Sequence, residues 1–334
     1  MNERKKTNQI LSIILPVYNA KKTLQRSVDS VLGAEGIPLE LVIIDDGSTD
    51  GSGEICEQYA REYPCVKVVH QRNQGPGAAR NAGLHHVSGA YVGFLDADDC
   101  YVPEVIKKVW NLLRKKQADA VCVGIKMFLQ SEFPDGKGKI LYEGDDSLIT
   151  GKEAFRRMLG GEGLDSNTYA KFYRKEMLPD DLHFFEGMLG DDIPVTYRML
   201  LSAENVYMTK EIGYLYCIDE SETSLSGVRF APYYFDMTDR AKELYELVCE
   251  QFPEYKEEAA GFYLDLVLQC VERIVGQEDL QPYKEGLICL LKELELHREE
   301  LKRTPHVDKK RKQWLTFFLL SHKLKKSNKS GDKK

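Results

Sequence analysis

The chain has 334 residues and a formal charge of −7 at pH 7, with 43% hydrophobic and 30% charged residues. That length and mixed, soluble composition suit one large α/β domain with an added lobe. The eight cysteines are scattered, with no Cys-x-x-Cys or His/Cys metal spacing, and no apolar run is long enough to cross a bilayer, so a thiolate metal centre and a membrane-spanning chain are excluded at this stage.

The polar start, Met1 to Gln9, lacks the apolar core of a secretory signal, and a reduced, cytosolic setting is expected. Ile10 to Val17 is a continuous apolar run closed by Pro16-Val17-Tyr18-Asn19, and it reads as a buried strand of a parallel sheet. Lys22 to Leu32 carries helical spacing. Leu39 to Ile44 is a second buried strand, closed by Asp45-Asp46-Gly47-Ser48-Thr49-Asp50-Gly51, with a helix following to about Arg61. Val66 to Val69 is a third strand. Gly75-Pro76-Gly77 opens a helix to about Val87, Tyr91 to Leu95 is a fourth strand, Pro103 to Lys116 is helical and Ala120 to Ile125 is strand-like. Such alternation implies a doubly wound α/β sheet with right-handed crossovers. Sheets of this kind bind ligands beyond the carboxyl ends of their strands, and Tyr18, Asp45, Asp46, Asp96 and Asp98 all fall there.

Further on, Gly144 to Thr150 reads as a loop, Gly151 to Leu159 as a short helix and Asn167 to Arg174 as extended. Gly187 to Asp192 is a turn leading into a helix from Ile193 to Leu200. Asn205 to Met208 and Glu211 to Ile218 are strand-like. Helices are expected over Tyr233 to Phe252, Tyr255 to Val275 and Leu280 to Leu301, with a lobe boundary near Ser221 to Arg229.

The three acids of Asp96-Ala97-Asp98-Asp99 crowd the end of a buried strand, where they repel one another unless water or a cation neutralises them. An Asp-x-Asp step suits a hard divalent ion that keeps places open for phosphate oxygens, and an acidic turn capping the next helix is the plain alternative. Asp45 to Gly51 likewise serves as a helix cap and offers a carboxylate to a base or ribose. Neither a G-x-G-x-x-G fingerprint after the first strand nor a phosphate loop is present.

In their order and spacing these segments resemble the inverting, non-processive family 2 glycosyltransferases of the GT-A fold, over about Ile10 to Ser226. The resemblance rests on Pro16-Val-Tyr-Asn19, Asp45 to Gly51, Asn73-Gln-Gly-Pro-Gly77-Ala-Ala-Arg80-Asn-Ala-Gly83, Asp96-Ala-Asp98-Asp99, Ala170 to Lys175, Gly190-Asp191-Asp192, Tyr214-Leu-Tyr216 and Ser224-Leu-Ser226. It implies a glycosyltransferase domain over 1–226, whose nucleotide-sugar half covers about 10–125 and whose acceptor half covers 126–226. A helical lobe over 227–301 and a basic amphipathic tail over 302–334 follow. It also implies that Tyr18 stacks on the nucleotide base and Asp46 bonds its uracil edge. Pro16, Asp45, Asn73 and Gly77 border the nucleotide sugar, Arg80 lies near the donor phosphates or sugar, and Asp96 faces the ribose. Asp98 ligates a Mn or Mg ion. By position Asp192 is the base, although this chain has Asp191 where the family usually has Glu. Neighbours at a helix start point about 100° apart, so only one of the pair faces the acceptor. Gln-x-x-Arg-Trp and membrane spans, marks of the processive synthases, are missing.

From Lys302 to Lys334 twelve Lys/Arg face two acids, leaving about −17 on the rest. Such a tail suits a polyanionic partner, membrane or nucleic acid. Its Trp314 and Phe317 among basic clusters fit an anionic membrane surface rather than nucleic acid, or else a helix docked on the last lobe. The expected partners are a nucleotide-sugar donor, UDP-linked in the family pattern, and a saccharide or lipid-linked acceptor at the inner face of the cell membrane. A non-catalytic nucleotide- or carbohydrate-binding scaffold and a nucleotidyltransferase are the alternatives. Specificity is expected in the loops from Phe128 to Asp146 and in the C-terminal helices.

Overall fold

The structure is a computed structural model and describes residues 9–115, 118–186, 190–219, 232–315 and 318. Two compact units emerge, Met1–Arg240 and Ala241–Lys334.

The first unit is built on one mixed sheet with helices around it. In chain order it contains β1 (Leu11–Val17), α1 (Leu24–Leu32), β2 (Leu39–Asp45), α2 (Ser52–Glu62), β3 (Val66–His70), α3 (Pro76–His86), β4 (Tyr91–Phe94), β5 (Cys100–Tyr101) and α4 (Pro103–Lys115). Then come β6 (Ala120–Leu129), β7 (Lys139–Tyr142), β8 (Ser147–Ile149), α5 (Gly151–Gly160), β9 (Lys171–Arg174), α6 (Asp192–Ser202) and β10 (Val206–Ile218). The sheet order is β3-β2-β1-β4-β9-β6-β10-β5, with β7 beside β6 and β8 beside β10. β3, β2, β1 and β4 run parallel, whereas β9 is antiparallel to both β4 and β6. This is the GT-A type of α/β sheet expected from the sequence. Its central strands read as unbroken apolar runs because both faces are covered: Leu11, Ile13, Ile14 and Leu15 are fully buried, and Leu24, Val28 and Val31 of α1 close one side. Burial of a Leu or Ile contributes about 1.5–3 kcal/mol each, so this strand is the anchor of the parallel part of the sheet.

Register then fixes the site. β1 pairs Val17 with Asp45 and Ile14 with Phe94, which brings the carboxyl ends of β1, β2 and β4 to one edge. The opposite edge is closed by Glu40, which accepts bonds from Ser12 Oγ (2.5 Å), Ser88 N (2.8 Å) and the Lys67 ammonium. Burial works to raise that carboxyl, but these donors hold it down to about 2.

Five expectations are corrected. Of Asn167 to Arg174, read as extended, only Lys171–Arg174 is strand, and 167–170 form a turn. Ser147–Ile149, read as loop, pairs antiparallel with β10. The two segments Asn205–Met208 and Glu211–Ile218 are one strand whose register shifts between Met208 and Tyr214. The stretch from Phe128 to Asp146, expected as loop, contains β7, which pairs with Ile125 to Met127 of β6. Leu280–Leu301 is split into a 3-10 turn and two helices. Residues 187–189 of the expected turn before α6, and the expected boundary from Ser221 to Arg229 with its Ser224 to Ser226 motif, lie outside the described residues.

α7 (Tyr233–Gln251) contains the division between the units. The second unit continues with α8 (Lys256–Val275), α9 (Lys284–Leu296) and α10 (Arg298–Arg303). The start of the basic tail packs on it: Val307 and Leu315 are buried, and the Arg311 guanidinium binds Glu272 at 2.9 Å and also Asp265 on α8. This basic residue is thus an internal ion-pair partner. Most of the tail beyond Leu315 falls outside the described residues.

Candidate active site

The first wall comes from two turns stitched together. After β1 the chain enters Asn19 at φ +50°, in the left-handed region. Its neighbours' amides then reach the turn after β2: Asn19 N donates to Ser48 Oγ (3.1 Å), Ala20 N to Ser52 Oγ (2.9 Å) and Lys21 N to Asp50 Oδ2 (3.0 Å). Thr49 N returns a bond to Asn19 Oδ1 (2.8 Å). Held in this way, Tyr18 stands 53% exposed, with its ring available to a ligand. Pro16 is half-buried within β1.

Asp45 and Asp46 diverge. Asp45 accepts from Ser48 N (3.0 Å) and bonds His70 Nδ1 (2.8 Å), so both of its oxygens serve the protein. Asp46 is buried and takes Gln71 Nε2 (2.7 Å), Gln74 N (2.9 Å) and Gly75 N (2.8 Å). It therefore shapes the 71–75 loop, on which Asn73 is exposed. Gly47 makes the approach possible: its φ is +75°, and a Cβ there would sit 2.9 Å from Asn73 N.

Arg80, on α3, is only 6% exposed. Its Nη2 lies 3.1 Å from Asp96 Oδ1, and its Nη1 lies 3.4 Å from Asp191 Oδ2 and 3.5 Å from Asp192 Oδ1. The guanidinium also sits 5.6 Å from the Phe184 ring centroid. One cation therefore joins the end of β4 to the start of α6. Burial opposes its charge, but Asp192, Asp96 and Asp191 outweigh burial and hold it protonated. Gly77 on the same helix permits the contact, since a Cβ would meet Phe185 O at 2.4 Å and Asp191 Oδ2 at 2.9 Å.

Three carboxylates around one guanidinium leave an excess of negative charge. Burial first, then Asp192, push the Asp191 carboxyl up to about 7, and burial likewise raises Asp192. Asp191, 3% exposed, is the deeper of the two; Asp192, at 19%, is more accessible and accepts from Thr168 Oγ1 (3.1 Å). The deeper acid is the better place for a shared proton, which leaves the accessible one ionised.

At the end of β4 the three acids also separate by role. Asp99 is fully buried and accepts from Tyr214 Oη and Cys217 N, each at 2.7 Å, tying β4 to β10. Burial pushes its carboxyl well above the usual range. Asp98 is exposed, and its carboxylate has no hydrogen bond or ion pair among the described residues. Although it reaches solvent, the surrounding protein and then Asp96 push it up to about 6. Among the described residues no three His, Cys, Asp or Glu side chains converge as a metal cage. An unpaired oxygen ligand beside a second carboxylate nevertheless fits an ion that takes its remaining ligands from phosphate and water, as Mg and Mn do.

Sequence reading did not single out Thr168, Asp165 or Phe184. Lys171 stood within a matched motif, but its burial was not foreseen.

At the carboxyl edge of this sheet Tyr18 and Asp98 are exposed. The glycosyl transferase family 2 model matches residues 12–181, and the chain belongs to that family. GlyG, a glycosyltransferase of Streptococcus pneumoniae, is 29% identical over 217 residues, covering 63% of this chain and 71% of GlyG. The minor teichoic acid biosynthesis protein GgaA of Bacillus subtilis is 30% identical over 212 residues, covering 59% of this chain but only 44% of GgaA. The structure of S. aureus TarS 1–349 in complex with UDP-GlcNAc superimposes with a TM-score of 0.65 at 21% identity, over 85% of this chain and 80% of that one. Among the described residues no helix is long and apolar enough to cross a membrane.

Proposed function

We propose that this chain transfers a sugar from a UDP-sugar to a hydroxyl of a saccharide or lipid-linked acceptor, with inversion, in building a cell-envelope polysaccharide or glycolipid. The carrying observation is that Arg80 reaches both Asp96 at the end of β4 and Asp192 at the start of α6, at 3.1 and 3.5 Å. The UDP-GlcNAc held by TarS and the teichoic acid role in the name of GgaA support the donor and the acceptor class.

In this reading Tyr18 stacks on the base, and Asp46 orders the loop beneath it while offering a remaining lone pair to the uracil edge. Pro16, Asp45, Asn73 and Gly77 form the rim, and Asp96 faces the ribose. Asp98, with Asp96 beside it, would hold a divalent Mn or Mg ion, which would supply positive charge to the diphosphate. Asp192 takes the proton of the acceptor hydroxyl as that oxygen bonds to the anomeric carbon. The bond from that carbon to the diphosphate oxygen breaks, and its electron pair leaves on the nucleoside diphosphate. Attack from the face opposite the leaving group inverts the centre. Arg80 stays protonated and keeps Asp96 and Asp192 in register.

General-base help of this kind is worth about 100- to 10,000-fold. Asp192→Asn is therefore expected to bind UDP normally by calorimetry and to lose transfer by that factor. Near-normal turnover in that variant would remove Asp192 from the role.

A further inference from the structure

We propose that Thr168 is a positioning residue for the transfer step: the loop from Asp165 to Lys171 fixes its hydroxyl so that it holds Asp192 in the orientation of a base. The inference rests on the reading of Asp192 given above.

Thr168 is 1% exposed, and its Oγ1 lies 3.1 Å from Asp192 Oδ1. An ionised carboxylate only accepts, so the hydroxyl is the donor. The loop carrying it is closed from within. Lys171, itself buried, donates from Nζ to Asp165 Oδ1 (2.6 Å), Asn167 O (2.7 Å) and Tyr169 O (3.4 Å). These three bonds use the three protons of the ammonium group. Asn167 Nδ2 adds a bond to Asp165 Oδ2 (2.7 Å). Outside the loop, the Tyr169 ring stacks on Tyr214 at 4.5 Å and 8°, and Ala170 O accepts from Val123 N (2.9 Å). Ala170 is held at φ +58°, a conformation that a residue with a Cβ adopts when its surroundings impose it. A buried ammonium is expensive to desolvate. Here its whole bonding capacity goes into giving the backbone around Thr168 a single shape.

The bond also bears on charge. Asp192 is faced by Arg80 from α3, Asp96 from the end of β4, Asp165 from this loop, Tyr173 from β9 and Asp191 just before its own helix. Burial and the two aspartates Asp96 and Asp165 disfavour its ionised form, while Arg80 and the Thr168 hydroxyl favour it. Deleting the hydroxyl thus raises the pH at which Asp192 becomes able to accept a proton.

The test uses the full chain and UDP release from whichever of UDP-glucose, UDP-galactose and UDP-N-acetylglucosamine turns over fastest. Thr168→Val and Thr168→Ala both remove the donor, and Thr168→Ser keeps it. We expect kcat to fall about three- to tenfold in Val and Ala. The acidic limb of their kcat profile rises by about one pH unit, with UDP affinity unchanged. Ser restores the limb. An unmoved limb in both hydroxyl-free variants, or a Ser variant that behaves like Val, overturns the proposal. Asp192→Asn run alongside separates the two readings. If it stays active, the base assignment falls and this inference with it. If it is inactive while the Thr168 variants keep the original limb, this inference alone falls.

Discussion

Gly77→Ala sets helix propensity against packing. In an open helix the change stabilises by about 0.5–1 kcal/mol. Here the new Cβ would lie 2.4 Å from Phe185 O, a backbone atom, and 2.9 Å from Asp191 Oδ2, where real Cβ contacts begin near 3.0 Å. The carbonyl must retreat by at least 0.6 Å, or α3 must lift by as much. Such overpacking costs about 1–3 kcal/mol. The Arg80 contacts to Asp191 and Asp192, at 3.4 and 3.5 Å, have no slack to absorb it. A displacement approaching 1 Å at a reacting group costs about 100-fold in rate. Urea melts and UDP-release kinetics are to be compared with Gly276→Ala at the end of α8, where the nearest atoms lie 3.5 Å away. We expect the control to be near neutral, and Gly77→Ala to be destabilised with turnover down about 100-fold. A Gly77→Ala protein at least as stable as the parent, with full turnover, refutes the packing argument.

Asp191→Asn keeps the shape but removes the deeper acid of the pair. With Asp191 raised to about 7 in the fold, the native state binds its proton more tightly than the unfolded chain. Its stabilising contribution is complete below the ordinary carboxylate range near 4 and is lost as pH rises through about 7. The variant should therefore show a flatter decline of Tm between about pH 4 and 7. An unchanged Tm slope counts against the pairing. Asp98→Ala should abolish the difference between UDP affinity in Mn and in EDTA, measured by calorimetry, and a variant that keeps that difference takes the ion away from Asp98. Truncation after Leu315 leaves the docked part of the tail in place, so it should fold normally yet lose sedimentation with phosphatidylglycerol vesicles. Undiminished binding places any membrane contact elsewhere.

The sheet was legible because its central strands are buried on both faces, and Ile10 to Val17 and Leu39 to Ile44 carry that burial as plain apolar runs. Their acidic ends were legible for the same reason, as abrupt breaks in composition. β8 escaped because three half-exposed residues beside Asp145 and Asp146 carry no periodicity. The β6–β7 pairing left a signal that went unused, Pro134-Asp135-Gly136, a turn sequence between two apolar stretches. β10 looked like two strands because Thr209-Lys210-Glu211 interrupts its pattern where the register shifts. The division of labour between Asp45 and Asp46, or among Asp96, Asp98 and Asp99, cannot be read from adjacent identical letters. It depends on partners such as His70 and Tyr214, 25 and 115 positions away. Lys171 sits between Tyr169-Ala170 and Phe172-Tyr173, where a sequence reader expects a lysine to snorkel outward. Only the folded loop reveals that its charge is consumed at home.

The reach of Arg80 from Asp96 to the start of α6 has a consequence for recombining these enzymes. A chimaera joining the first half of one relative to the second half of another inherits its guanidinium from one parent and the carboxylates of α6 from the other. The sheet can close correctly and still leave that cation a fraction of an ångström out of place. Donor and acceptor preferences will therefore not shuffle as free modules. Grafts confined to the β6–β7 hairpin, which contributes no group to this bridge, should leave it intact.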